Sequence, residues 1–323
     1  MSTIAVGLRK AWTPGLLLII LVLLATLSLY ASAYTLILVA SILMYIVLTM
    51  SWVIFSAPTG YISMAPAAFF GVGIYTSAIL GMTVPLPLVI CIAGLASSCL
   101  ALVVGALTLR LKGPYFAIFT LGLVELIKHL VLWYEANVTG TRGRFVIVVD
   151  NTIIYYVMLA ILVVLLLTTY LIRRSKFGLA LQSIGQDEDA AAHCGINVTL
   201  VKVVTFGISA IFTGAAGAIW ATRLTYIDPY IAFDTQFSFM PVLMAIFGGM
   251  GQLYGPVLGA VVFAYMEETL ITKFPYYYML VFGIILVVSV LYLPDGLVGL
   301  VQRLWQWTQK WRKRSPGGDH ANT

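Results

Sequence analysis

The stretch RRSKFGLALQSIGQDEDAAAHCGINVTLVK, Arg173 to Lys202, is the longest strongly polar run between apolar segments of this chain. Ser183 and Gln186 stand three apart, the spacing of a capping box. Asp187, Glu188 and Asp189 follow, where a helix dipole favours negative charge. Ala190, Ala191 and Ala192 are strong helix formers, and Gly195 is placed to end the helix in a left-handed cap. The pattern predicts a short helix over about 184–194, with a small-residue face bounded by Glu188 and Gly195. Such a face lets another protein approach closely. The plain alternative is a solvated helix that only joins two apolar segments.

What surrounds this run fixes its setting. The chain of 323 residues is 61% hydrophobic and 9% charged, and its mean hydropathy is +1.02. Soluble domains carry about 25% charged residues, so this composition is that of an all-α polytopic membrane protein. A span needs about 20 apolar residues. Ten segments qualify, some short or broken: 15–33, 35–56, 66–83, 84–109, 115–134, 152–172, 203–222, 236–250, 255–272 and 276–293. The expected organisation is a cytoplasmic N-terminus (1–14), a transmembrane region (15–299) containing the loop 173–202, and a basic, Trp-rich cytoplasmic tail (300–323). Trp305, Trp307 and Trp311 alternate there with Arg and Lys, which suits an inner-leaflet headgroup zone.

A net charge of +6 raises the question of a nucleic-acid partner. The positive charges instead cluster between apolar segments, as the positive-inside rule requires. With the N-terminus inside, thirteen of the eighteen Lys and Arg fall on the cytoplasmic side and four outside, with Lys128 within a span. That orientation makes 173–202 cytoplasmic. Cys91, Cys99 and Cys194 suit free thiols rather than a disulfide framework. The chain has three His and no cluster of metal-ligand spacing, so neither a metal nor a cofactor is expected.

Three stretches interrupt the apolar pattern with Gly and Pro. The first runs Gly60-Tyr-Ile-Ser63-Met-Ala-Pro66-Ala-Ala-Phe69-Phe-Gly71-Val-Gly73. Non-helical backbone at membrane depth is tolerated only where it is buried in protein or lines a wet cavity. Tight helix packing and path-lining are both open here. The second begins Arg110-Leu-Lys-Gly113-Pro-Tyr-Phe116 and continues to Glu125, with Lys128 and His129 three and four residues on, along one helix face. Intramembrane charge is costly and raises a functional hypothesis; internal pairing is its bland reading. The third is Phe247-Gly248-Gly249-Met-Gly251-Gln-Leu-Tyr-Gly255-Pro256-Val-Leu-Gly259, a tight turn between short spans. No strand precedes it and no Lys-Ser/Thr follows, so it is not a phosphate loop, and no Walker-type loop occurs in the chain.

Together these stretches resemble the LivM-type permeases of branched-chain amino acid ABC importers. The Glu188-Asp-Ala190-Ala191…Gly195 run resembles that family's ATPase-docking loop. Gly60–Gly73, Arg110–Phe116, Gly248–Gly259 and Leu293-Pro-Asp-Gly296-Leu-Val-Gly299-Leu resemble family stretches in the same order. Tyr61 stands where the family usually has Gln, and Pro66 where it often has His. The resemblance implies an inner-membrane permease that is not itself an enzyme. Its implied partners are a homologous second permease (LivH type), two cytoplasmic ATPases, an extracytoplasmic binding protein and membrane lipid. It implies ATPase coupling through Glu188, Ala190, Ala191 and Gly195. Candidates for the translocation path are Gly60, Ser63, Pro66, Phe69, Gly71, Gly73, Glu125, Gly248, Gly249, Gly251, Gly255 and Pro256. The family moves leucine, isoleucine and valine, and its relatives other amino acids, amides or urea. The competing reading is an ion-coupled secondary transporter, which needs paired intramembrane carboxylates; only Glu125 looks well placed for that. A scaffold protein fits the composition but not the docking loop.

Overall fold

The computed structural model describes residues 23–28, 30–111, 113–250 and 254–274, with scattered positions up to 299. Eleven helices run through this region: α1 (Ala33–Thr59), α2 (Pro66–Leu80), α3 (Leu86–Thr108), α4 (Pro114–Tyr134), α5 (Asn151–Arg174), α6 (Lys176–Gln186), α7 (Glu188–His193), α8 (Val198–Ala221), α9 (Pro229–Ala232), α10 (Gln236–Gly248) and α11 (Tyr254–Lys273). A π-helical turn, Glu135–Thr139, extends α4. The two-residue strands β1 (Arg144–Phe145) and β2 (Tyr226–Ile227) pair antiparallel, with Arg144 opposite Ile227.

Among the described residues, six helical stretches are long and apolar enough to cross a membrane: α1, α3, α4 with its π turn, α5, α8, and the run from α9 through α10. Ten were expected. About half of 15–33, most of 276–293 and all of the tail 300–323 lie outside the described residues. The segment 66–83 forms a helix of only 15 residues, which rises about 22 Å against a hydrocarbon core of about 30 Å. The 20-residue α11 carries Glu267, Glu268 and Lys273 and is not among the six.

Helices in lipid gain little from burying apolar surface against one another, so close packing of small residues carries their association. The seam between α8 and its neighbours α2 and α3 is built this way. A Cβ on Gly73 would lie 2.0 Å from the Gly214 carbonyl oxygen, and one on Gly217 would lie 2.2 Å from the Phe70 carbonyl oxygen. A Cβ on Gly214 would meet the Ser97 hydroxyl. α1 and α8 are therefore central, and Val47, Leu48, Met50, Ala210 and Ala216 are fully buried. α4 is peripheral: most of its surface, including Tyr115, Ile118 and Leu126, is exposed on this chain.

Candidate functional site

The polar run folds as two helices, not one. Ser175 caps α6 by accepting a hydrogen bond from the Gly178 amide at 3.3 Å. α6 continues through Ser183, whose hydroxyl donates to the Leu179 carbonyl within the helix. It continues because Leu181 and Ile184 are buried on one face, against Ala191 and Val201. The expected cap at Ser183 is replaced by Asp187, which is extended and accepts from the Asp189 and Ala190 amides, each at 3.0 Å. α7 then ends as anticipated. Gly195 has φ +83°, and the Ile196 amide reaches back to the Ala191 carbonyl, closing a Schellman motif. Ala191 faces inward, while Ala190, Ala192 and Gly195 are exposed.

Glu188 turns toward the bundle. Its carboxylate accepts from Lys202 Nζ at 2.5 Å and from the Tyr61 hydroxyl at 2.8 Å. Lys202 also donates to the Leu109 carbonyl at 3.1 Å and sits 4.4 Å from the centre of the Tyr61 ring. The lysine is 2% exposed. Four elements meet at this knot: α7 through Glu188, α8 through Lys202, the end of α3 through Leu109, and the chain after α1 through Tyr61. A buried lysine is tolerable only when paired and hydrogen-bonded, and both conditions hold.

Tyr61 opens a stretch with no helix, Gly60 to Ala65. Gly60 ends α1 with φ +73°. Side chains from three helices satisfy the freed backbone groups. Trp52 Nε1 donates to the Ser63 carbonyl at 2.8 Å, and Thr120 of α4 accepts from the Met64 amide at 2.9 Å. Ser238 of α10 donates to the Met64 carbonyl and accepts from the Ala67 amide. Irregular backbone survives at this depth because protein groups replace the missing helical partners. Beside it lies an internal cavity of about 10 Å³, lined by Trp52, Phe55, Ser63, Pro66, Phe69, Phe206, Ser209 and Thr213, the room of a single water. Three candidates from the first Gly/Pro stretch, Ser63, Pro66 and Phe69, thus share one cavity. Gly71 and Gly73 lie elsewhere, against the Phe233 ring and the Gly214 backbone.

The third stretch, Phe247–Gly259, is a crossing of α10 and α11. A Cβ on Gly248 would lie 2.0 Å from the Gly255 carbonyl oxygen, and one on Gly259 2.1 Å from that of Met244. Pro256 is buried in the first turn of α11. Gly249 has φ +96°, and Gly296 of the closing motif seats on its backbone. Gly251 lies outside the described residues.

Glu125 pairs with Lys128 at 2.6 Å and lies 3.9 Å from His129, on the outward side of α4. Two further carboxylates are buried deeper than sequence spacing reveals. Glu267 accepts from Gln236 Nε2 at 2.9 Å and is bonded by Tyr45. Glu135 accepts from Tyr75 at 3.2 Å and from the Gly143 amide at 2.9 Å. Lys202 and Tyr61 were not picked out as partners of Glu188. The available signals were a lysine four residues into an apolar helix and a tyrosine at a family-variant position.

No solved structure matches the chain. Among curated proteins it is 27% identical over 295 residues to the high-affinity branched-chain amino acid transport system permease protein LivM of Salmonella typhimurium, covering 80% of this chain and 69% of that protein. The Escherichia coli LivM protein matches with the same identity and coverage. The ribose import permease protein RbsC of Haemophilus influenzae is 25% identical over 136 residues, 40% of this chain and 42% of its own. The sequence profile described as branched-chain amino acid transport system / permease component matches residues 34–290, and the chain belongs to that family of membrane permeases.

Proposed function

We propose that this chain is a transmembrane permease subunit of an ABC importer for branched-chain amino acids, and that α7 is the element its ATPases engage. The knot of Glu188, Lys202 and Tyr61 carries this reading. It ties α7 to the non-helical segment 60–65 and so to the cavity at Ser63, Pro66 and Phe69. The LivM proteins match over 80% of the chain and the ribose permease over 40%, which favours an amino-acid substrate.

In this reading the N- and C-termini and the loop 173–202 are cytoplasmic. A homologous second permease of the LivH type, two ATPases and an extracytoplasmic binding protein complete the importer. ATPase closure shifts α7 through its exposed face of Ala190 and Gly195. Glu188 draws on Lys202 and Tyr61, and the segment 60–65 moves against α8. Trp52, Phe55, Phe69 and Phe206 wall the cavity, which holds one water at rest and widens in this reading to pass a branched aliphatic side chain. The hydroxyls of Ser63, Ser209 and Thr213 offer hydrogen bonds to its polar end.

The test is reconstitution. The chain with its ATPases, second permease and binding protein is expected to take up leucine uphill only with ATP, and the chain alone is expected to show neither ATPase activity nor uphill transport. Ala190→Trp is expected to abolish uptake with membrane insertion unchanged. Uphill uptake by the chain alone on an ion gradient would replace this reading with the secondary transporter. Normal uptake by A190W in an intact complex would remove α7 from the coupling role.

A further inference from the structure

Away from the knot, at the other end of α8, a cavity of about 440 Å³ is lined by Ile37, Val148, Val149, Asp150, Asn151 and Arg223. These residues come from the starts of α1 and α5 and from the turn after α8. Arg223 is fixed in place: Nη1 donates to the Ser41 hydroxyl at 3.1 Å, and the guanidinium lies 4.1 Å from the Trp220 ring centre. No carboxylate of the described residues lies within ion-pair distance of it. Glu268 acts on it from further away, and burial lowers its pKa from the ordinary value. Of five N–H donors, one is engaged with Ser41. Asp150 supplies the opposite charge in the same lining. One of its oxygens caps α5 by accepting from the Thr152 amide at 3.3 Å. Val148 of the lining is an exposed apolar side chain, and so are Tyr34, Ile147 and Ile153, which lie within three residues of lining positions in the chain. A soluble ligand leaves that rim bare, whereas acyl chains cover it.

We infer that this cavity is a phospholipid site whose ligand carries a phosphate for Arg223 and a primary ammonium for Asp150, a phosphoethanolamine headgroup with its acyl chains over the apolar rim. Trp220 and Tyr34 place it at the interfacial level where aromatic side chains concentrate. The same pairing of anion and ammonium exists in a free amino acid, and the apolar rim decides between the two.

The experiment uses full-length chain purified from membranes in mild detergent, delipidated, and titrated with single phospholipids while bound lipid is counted by native mass spectrometry. Wild type is expected to bind phosphatidylethanolamine about tenfold more tightly than phosphatidylcholine, whose quaternary ammonium donates no hydrogen bond. Arg223→Gln is expected to weaken binding of both by at least about tenfold. Asp150→Asn keeps the helix cap, because Asn caps as well as Asp, and is expected to erase the preference while retaining binding. Two results overturn the proposal. One is unchanged lipid binding and preference in D150N together with R223Q binding like wild type. The other is displacement of the bound lipid by free leucine, which marks a substrate site instead.

Discussion

Glu188 meets Lys202 at 2.5 Å, with the lysine 2% exposed; Glu125 meets Lys128 at 2.6 Å, with the carboxylate 43% exposed. The two ion pairs are alike in length and differ in what surrounds them. Glu125 and Lys128 are one helical turn apart on α4, with His129 beside them and the Tyr230 ring of α9 5.7 Å from the lysine. Glu188 and Lys202 join two helices, and through Tyr61, 127 residues away in the chain, they reach a third element. Removing one member of the second knot breaks a network built around a buried lysine, while removing one member of the first leaves a more exposed neighbour free to reorient. The same contrast separates the helices themselves: α8 sits in a seam of glycine and serine, and α4 lies on the outside.

The largest expected effect tests the seam. Gly73→Ala drives a methyl into the Gly214 carbonyl and is expected to cost about 3 kcal/mol or more, read as loss of folded protein in thermal unfolding. Gly122→Ala on α4 meets nothing within 4 Å and is expected to stay within about 0.5 kcal/mol of wild type. Equal losses from both would erase the distinction between central and peripheral helices.

Lys202→Met comes next. It leaves Glu188, 23% exposed, beside Tyr61 without its cation and is expected to destabilise by about 2–3 kcal/mol. The exchange of both charges, E188K with K202E, is expected to restore part of that loss. Glu188→Gln is a step of similar size. It preserves shape and keeps an acceptor for Tyr61, but it leaves the buried Lys202 without its counter-charge, at about 2–3 kcal/mol of stability. Its informative readout is uptake per folded complex, expected to fall about tenfold while ATP hydrolysis persists. A loss of uptake strictly in step with folded protein would reduce the knot to a packing device. Smallest of all, Glu125→Gln is expected to change stability by less than about 1 kcal/mol. A large effect there would sharpen the comparison differently, by showing that the outward face of α4 is covered by protein in the membrane.

The polytopic helical class and most span positions were legible along the chain, because about 20 consecutive apolar residues have few other physical solutions. The Schellman end at Gly195 was legible too, since a left-handed φ strongly favours glycine. The start of α7 was not. Ser183 and Asp187 both offer capping chemistry, and local pattern gives no way to choose. Burial of Leu181 and Ile184 against Val201 decides it, by drawing α6 past the serine. Glu188 was visible as a residue of interest, but its direction was not. A run of small residues marks a face that another protein can approach, and the tertiary structure decides which residues form it: Glu188 and Ala191 turn inward, and Ala190 and Gly195 stay outside.

Composition, periodicity and the order of the Gly-rich stretches therefore determined the fold class, the family resemblance and the places where helices must break. The partners of the buried charges were decided only by tertiary structure. Spacing within one helix reports neighbours three and four residues apart, which is why Glu125 with Lys128 stood out. Lys202, Tyr61, Glu188 and the Leu109 carbonyl are brought together by helix packing from distant parts of the chain. What holds them there is the cost of an unpaired charge in a medium without water, a cost that exists only once the helices have met.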